Sequence, residues 1–229
     1  MKLLAFETAT EACSVALWID GDVRERFEVA PRRHAELALP WADALLREAG
    51  IARSQLDAIA VGRGPGAFTG VRLAIAIAQG IALALDRPVV AISTLAALAM
   101  QARGERVIAA IDARMGEVYL GAFERDAVGM RALDAESVVK PDVARIPDGD
   151  WACVGTGFAA AGGALLHRLQ ATLRSVDASA LPHAADIARL AAPAFARGET
   201  LAPERVEPAY LRDNVALTLV QQQALRDSR

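Results

Sequence analysis

One pattern occurs twice in this chain. Ala5-Phe6-Glu7-Thr8-Ala9-Thr10 and Ala110-Ile111-Asp112-Ala113-Arg114-Met115 each run from an apolar strand into a carboxylate and a short polar turn, and a second strand follows each. In the first copy that second strand, Cys13 to Ile19, turns at Asp20-Gly21-Asp22 into a third, Val23 to Val29. A chain that opens with three strands does not begin a βαβ dinucleotide-binding unit, and a repeated unit points to internal duplication. In the third strand Val23, Glu25, Phe27 and Val29 share a face, on which Glu25 is the misfit.

Helix is predicted from Ala35 to Ala49, where Leu37, Ala38, Trp41, Leu45 and Ala49 recur at helical spacing and Gly50 closes the run. The strand Leu56 to Val61 then enters Val61-Gly62-Arg63-Gly64-Pro65-Gly66-Ala67-Phe68-Thr69-Gly70-Val71-Arg72. Glycines at this density serve a tight turn, and a loop entering a helix N-terminus also offers N–H groups to an anion, so a plain connection and an anion site both stand open. No Gly-Lys-Ser/Thr follows, so the stretch is not a P-loop. The helix Gly70 to Leu85 carries Ala74, Ala76, Ala78, Gly80, Ala82 and Ala84, which suits close packing on its own sheet or against a partner helix. A strand (Val89 to Ile92) and a helix (Thr94 to Arg103) complete the first copy. The second has strands at Arg106 to Ile111, Glu117 to Phe123, Met130 to Leu133 and Trp151 to Val154. Helices follow from Ala159 to Leu173 and from Ala184 to Arg197, the latter with Ile187, Leu190, Ala191 and Ala194 on one face, and then an extended run from Pro203 to Arg212. Two βββαβα halves facing across a cleft, the second reduced, describe an α/β actin-like ATPase (ASKHA) fold of two RNase H-like subdomains. The expected division is 1–104 with a return segment at about 205–218, then 105–204, then a tail at 219–229.

In that architecture a polar turn after each half's first strand lies near nucleotide phosphates. Glu7, Thr8, Thr10, Asp112 and Arg114 are therefore nucleotide-proximal candidates. Gly155 and Gly157 join them if Gly155-Thr156-Gly157 lets an adenine or ribose approach the backbone; a simple helix-start turn is the other reading. A two-metal nuclease needs converging carboxylates, and Glu7, Glu11 and Asp57 make no persuasive set. His34, His167 and His183 do not pair at ligand spacing, and Ser14 and Ser93 lack a nucleophile elbow. Cys13 and Cys153, far apart in apolar runs, read as buried thiols of a reducing compartment. Net charge is -3, with 25 basic and 28 acidic residues, so no basic field for nucleic acid exists and any RNA needs another subunit for its phosphates. The start of the chain has no signal-peptide core, and the apolar segment Leu73 to Leu85 is short for a bilayer and contains Gln79; no membrane association and a cytoplasmic location are expected.

Leu4-Ala5-Phe6-Glu7-Thr8-Ala9-Thr10-Glu11-Ala12-Cys13-Ser14-Val15-Ala16-Leu17, Arg33-His34, Gly64 to Arg72, Asp112-Ala113-Arg114-Met115-Gly116-Glu117-Val118-Tyr119 and Pro208-Ala209-Tyr210-Leu211-Arg212-Asp213, in that order, resemble the bacterial TsaB (YeaZ) family. The resemblance implies a non-catalytic paralogue of TsaD in the machinery that makes threonylcarbamoyladenosine (t6A) on the tRNA base next to the anticodon. It implies a direct heterodimer with TsaD through helices, with the ATPase TsaE joining the pair and TsaC supplying threonylcarbamoyl-adenylate. tRNA is then met only through the complex, and a homodimer is the alternative when TsaD is absent. No cofactor is held tightly; an adenine nucleotide at the junction with TsaD is the candidate. The partner face is expected to use Leu37, Trp41, Gly66, Phe68, Thr69, Arg72, Leu73, Ala76, Ile77 and Gly80, with Ala76→Arg or Ala78→Arg as probes. Arg72 opposes the dipole of its own helix, which an acidic partner would relieve. TsaD's metal-binding His-x-x-x-His is missing: after His34 the helix reads Leu37-Ala38-Leu39-Pro40-Trp41. No residue is assigned a catalytic or metal role. Glu7 stands where many relatives carry Asp. The rival reading is an autonomous ATPase or small-molecule kinase of the actin-like superfamily, dependent on Glu7 and Asp112.

Overall fold

The computed structural model describes residues 1–212; the expected tail at 219–229 and the end of the return segment lie outside the described residues. Strands β1 (Lys2–Glu7), β2 (Ala12–Ile19), β3 (Asp22–Val29), β4 (Ala58–Gly62) and β5 (Val89–Ile92) form a sheet in the order β3-β2-β1-β4-β5. The first three are an antiparallel meander, and β4 and β5 run parallel to β1. Strands β6 (Arg106–Arg114), β7 (Glu117–Arg125), β8 (Met130–Ala132), β9 (Ser137–Val139), β10 (Trp151–Val154) and β11 (Leu173–Asp177) form the second sheet, ordered β11-β10-β6-β7-β8 with β9 also on β7. Counted from each half's first strand, the two orders are the same, with the second half's third strand split in two. This is the duplicated RNase H-like topology of the actin-like fold.

The central strands are apolar on both faces because both faces are covered, while the edge strands β3 and β11 are largely exposed. Leu4, Phe6, Val15, Leu17, Ile59 and Val61 pack under α1 (His34–Glu48) and α2 (Phe68–Leu85). Ala5, Ala16, Ala58 and Ala60 face the other way, into a core shared with Val107, Ala109, Ala152 and Val154 of the second sheet. Between the sheets lie α3 (Thr94–Ala99) and α5 (Ala184–Ala196). They are exchanged: α5, from the second half, packs on β1, β2, β4 and β5, while α3, from the first, packs on β6, β7 and β8. Alanines on both inner faces let these helices approach closely, which explains a large core with only 5% aromatic residues. The short α4 (Ala164–Leu169) covers the outer face of the second sheet with Phe158 and Trp151.

Several elements differ from expectation. The helix predicted from Ala159 to Leu173 is instead a 3-10 turn (Ala160–Gly163), the short α4 and the first residue of strand β11. Ala161, Gly162 and Gly163 have φ of 49, 67 and 78°, left-handed values that an α-helix cannot contain. Asp112 does not end its strand; β6 continues to Arg114 across a register shift, and the turn shrinks to Met115-Gly116. Helix α3 stops at Ala99, short of Arg103, and the Arg125 guanidinium takes the free carbonyls of Met100 and Ala102 at 3.2 and 2.7 Å. The single apolar face assigned to the last helix is too narrow: Ala184, Ala185, Ala188 and Ala192 are buried as well, because α5 lies between two sheets. With 18 residues, α2 is longer than the segment Leu73 to Leu85 and reaches the length and composition of a membrane span, yet Val71, Ala74, Ile75, Ala78 and Ala82 are buried on the first sheet.

Glu25, the misfit on β3, ties the halves together. Its carboxylate accepts from Ser14 Oγ at 2.7 Å and from Ala185 N at 3.0 Å, and it lies 2.9 Å from His183 Nδ1. Ser14 Oγ in turn accepts from Ala184 N at 2.8 Å, so two strands of the first sheet cap the first turn of α5.

Candidate functional site

The glycine-rich loop meets protein, not open space. A Cβ on Gly66 would lie 2.4 Å from Ala9 O, one on Gly70 2.0 Å from Thr8 O, and one on Gly62 1.9 Å from Glu7 Oε2. Thr8 Oγ1 donates to Gly70 O at 2.7 Å and Ala67 N to Ala9 O at 2.7 Å. The missing side chains thus seat the β1–β2 turn against the start of α2. The close approach that a phosphate would need is taken by residues 8 and 9.

Glu7 lies beneath this turn, fully buried. Oε1 accepts from Ala9 N at 2.6 Å and Oε2 from Thr94 Oγ1 at 2.8 Å. Burial pushes its carboxyl up to about 7 against these hydrogen bonds, since no cation is at hand to balance the charge. Thr94 also accepts from Gly64 N at 3.2 Å through Oγ1, while its own N–H donates to Gly64 O at 2.9 Å; one residue therefore fixes both Glu7 and the loop.

Above the turn, a cavity of about 660 Å³ opens between the halves. Thr10, Asp112 and Arg114 line it; Glu7, Thr8, Gly155 and Gly157 do not. Asp112 accepts from Arg114 N at 2.8 Å and pairs with the Arg114 guanidinium at 2.9 Å, and its own N–H donates to Thr156 Oγ1 at 3.2 Å. Gly155 and Gly157 serve strand packing instead: a Cβ there would lie 2.3 Å from Ala110 O and 2.6 Å from Ala110 Cβ. Arg32, Arg72 and Arg212 join Arg114 in the lining, with Glu11 and Asp112 as the acidic residues; Arg114 is paired with Asp112 and Arg212 with Glu117. His34 Nε2 is 2.9 Å from Thr10 O. Among the described residues no group of three or more His, Cys, Asp or Glu could hold a metal ion. Cys13 and Cys153 are free and buried, their thiols pushed by burial up to about 11 and about 12.

The residues chosen for a partner face separate by their position on α2. Phe68, Thr69, Ala76 and Gly80 are exposed, with Arg72, Leu73 and Ile77 half-buried beside them, and Leu83 extends the stripe. A Cβ on Gly80 would meet nothing within 4 Å. Ala78 lies on the opposite side at 0% exposure, so it is unsuited as an interface probe. Leu37 and Trp41 on α1 are half-buried against the first core, and Gly66 belongs to the cleft wall. The Arg72 guanidinium sits 3.2 Å from the Phe68 ring centroid and 5.0 Å from that of Tyr210; it bonds the Tyr210 hydroxyl and, at 3.2 Å, Phe68 O. Internal aromatic and carbonyl partners thus offset the unfavourable dipole, where an external carboxylate was expected. Tyr210 and Arg212 stand in the C-terminal motif, but sequence reasoning gave them no role, because nothing local indicates what an extended run will cross.

The match to known proteins covers most of the chain. The family model described as TsaD, tRNA N6-adenosine threonylcarbamoyltransferase, matches residues 28–219. The chain is 44% identical to the tRNA threonylcarbamoyladenosine biosynthesis protein TsaB of Escherichia coli K12, over 94% of the chain and 96% of that protein. With its counterpart in Haemophilus influenzae identity is 39%, over 94% and 95%. The solved structure of YeaZ from Pseudomonas aeruginosa superposes with a TM-score of 0.82 at 47% identity, covering 92% of this chain and 99% of that one.

Proposed function

The chain belongs to the TsaB (YeaZ) family of tRNA threonylcarbamoyladenosine biosynthesis proteins, and on that premise we propose that it is the non-catalytic subunit of the t6A transferase. In this reading it dimerises with TsaD and, with TsaE, supports transfer of the threonylcarbamoyl group from threonylcarbamoyl-AMP to the tRNA adenosine next to the anticodon. TsaC supplies the adenylate, tRNA is reached through the complex, and the work is done in the cytoplasm. An adenine nucleotide belongs at the junction with TsaD and is not held tightly by this subunit alone.

The observation that carries the reading is the outer stripe of α2. Phe68 and Leu83 are 64% and 60% exposed, and between them Ala76 and Gly80 leave a shallow, bulk-free track. An apolar stripe flanked by small residues suits close helix-on-helix docking. The chemistry assigned to this chain is positional. Glu7 is sealed under the β1–β2 turn and is not presented to a reacting group; Asp112 lines the cleft but is paired with Arg114.

Ala76→Arg tests this. The side chain points outward and arginine is a good helix former, so the fold should persist. Co-purification with TsaD and threonylcarbamoyl transfer in a reconstituted system should both be lost; a variant that binds and supports transfer normally would sink the assignment. The arginine-bearing cleft, which Asp112 also lines, favours one rival, the autonomous ATPase or small-molecule kinase. ATP turnover by the isolated chain, abolished in Asp112→Ala, would establish that rival instead.

A further inference from the structure

The segment 203–212 is fastened to the first half at several points. Leu201 pairs with Val89, and Val206 is buried in the first core. Gln79 Nε2 donates to the carbonyls of Pro203 and Val206 at 2.8 and 3.3 Å. Ala209 N donates to Arg63 O at 2.8 Å, and Tyr210 lies against Arg72. The chain then crosses the mouth of the cleft, where Pro208 to Arg212 form one wall of the cavity. Arg212 reaches the second half: Nη2 donates to Ala113 O at 3.2 Å and pairs with the Glu117 carboxylate, while Nη1 lies 3.7 Å from Met115 Sδ. Among the described residues of this segment, Arg212 alone makes such contacts with the β6–β7 turn.

That turn is held locally by Asp112 through Arg114 and is otherwise exposed. Arg114, Met115 and Gly116 have φ of 63, 56 and 73°, two of them non-glycine residues in the left-handed region, and Met115 is 85% exposed. Arg212 satisfies a carbonyl just before the turn and a carboxylate just after it, with its side chain only 22% exposed. Charge-assisted hydrogen bonds shielded from water are the stronger kind. On the first half, Arg63 holds the segment by its carbonyl while its guanidinium faces Glu136 of the second half at 3.8 Å.

We propose that residues 203–212 are a strap across the cleft that sets how far the two halves open, with Arg212 as its releasable clasp on the β6–β7 turn. The exchanged helices α3 and α5 form the joint at the base of the cleft, and the strap closes the mouth. Releasing the clasp frees the turn and widens the cavity without unfolding either sheet.

Amide hydrogen exchange followed by mass spectrometry on the full chain tests this without any partner. In Arg212→Ala, exchange at residues 112–119 should rise about tenfold, as expected for losing a charge-assisted contact that holds a local closure, with the strands of the first sheet unchanged. Glu117→Gln, which weakens the same clasp from the other side, should raise exchange at the same residues. Spin labels at Ser54→Cys and Lys140→Cys, exposed positions in opposite halves, should show a distance distribution that broadens and lengthens in Arg212→Ala; the native thiols are buried away from the label. Unchanged exchange at 112–119 and unchanged distances in both clasp variants would overturn the proposal. So would a rise spread evenly over the chain, which marks general destabilisation and not a released clasp.

Discussion

Glu7 and the glycines around it show what single residues decide. Its folded carboxyl is held near 7 against a usual 4.5, so the folded state binds the proton more tightly than the unfolded chain does. Stability therefore falls as pH rises from about 4.5 to about 7, by a total of about 3 kcal/mol, and then levels off. Glu7→Gln keeps an oxygen acceptor and removes this titration, so its melting temperature should decline less across that interval than the parent's; parallel curves would contradict the assignment. The sequence marked Glu7 as the end of a strand and the start of a polar turn, and both hold. The burial was not legible, because it depends on Gly62 and Thr94 arriving from β4 and α3, and no local pattern announces a contact over such separations. The density of glycine in the loop was visible, but whether it admitted a ligand or the chain's own backbone was not.

At the scale of elements, α2 carries two glycines with opposite purposes. Gly70→Ala drives a methyl into Thr8 O and should cost about 3 kcal/mol or more, read as a fall in the denaturant midpoint. Gly80→Ala meets nothing and removes the helix penalty of glycine, so it should stabilise the isolated chain by about 1 kcal/mol in the same measurement. Helical periodicity located α1, α2 and α5 to within about two residues, since each has a buried stripe at the right spacing. It misled between Ala159 and Leu173. There the apolar residues recur often enough to suggest one helix, while the pair Gly162-Gly163 takes left-handed conformations that divide it. Strand β11 carries no periodic signal either: Arg174, Ser175, Val176 and Asp177 are exposed, so no core-facing alternation marks it.

Across the whole molecule, the repeated strand–carboxylate–turn unit announced two sheets of one topology. Which sheet each last helix would cover was hidden, because periodicity defines an apolar face and not what meets it. The joint so formed is titratable. Burial opposes charge on both Glu25 and His183, but hydrogen bonds from His183, Ala185 and Ser14 hold Glu25 below its usual range, and Glu25 holds His183 above its own. Asp186 and Arg189 of α5 also face His183, and burial raises Asp186. The His183 contribution is present below the usual histidine range and lost as pH rises through its elevated value. The Glu25 contribution is present above the usual carboxylate range and lost as pH falls through its depressed one. His183→Gln should therefore lose the parent's decline in melting temperature as pH rises through the histidine range and, because His183 helps hold Glu25 low, should also weaken the decline at acid pH; both limbs unchanged would show that the pair does not couple the halves.

The crossing of α3 and α5 has a consequence for the two halves as separate pieces. If the chain is cut after residue 104, fragment 1–104 keeps α3 but lacks the helix that roofs its sheet, and the remainder keeps α5 but lacks its own roof. Each piece should stay unfolded or aggregate when expressed alone, and the pair should regain native circular dichroism when expressed together. Duplication supplied two copies of one blueprint, and the exchange of helices made each copy the folding template of the other.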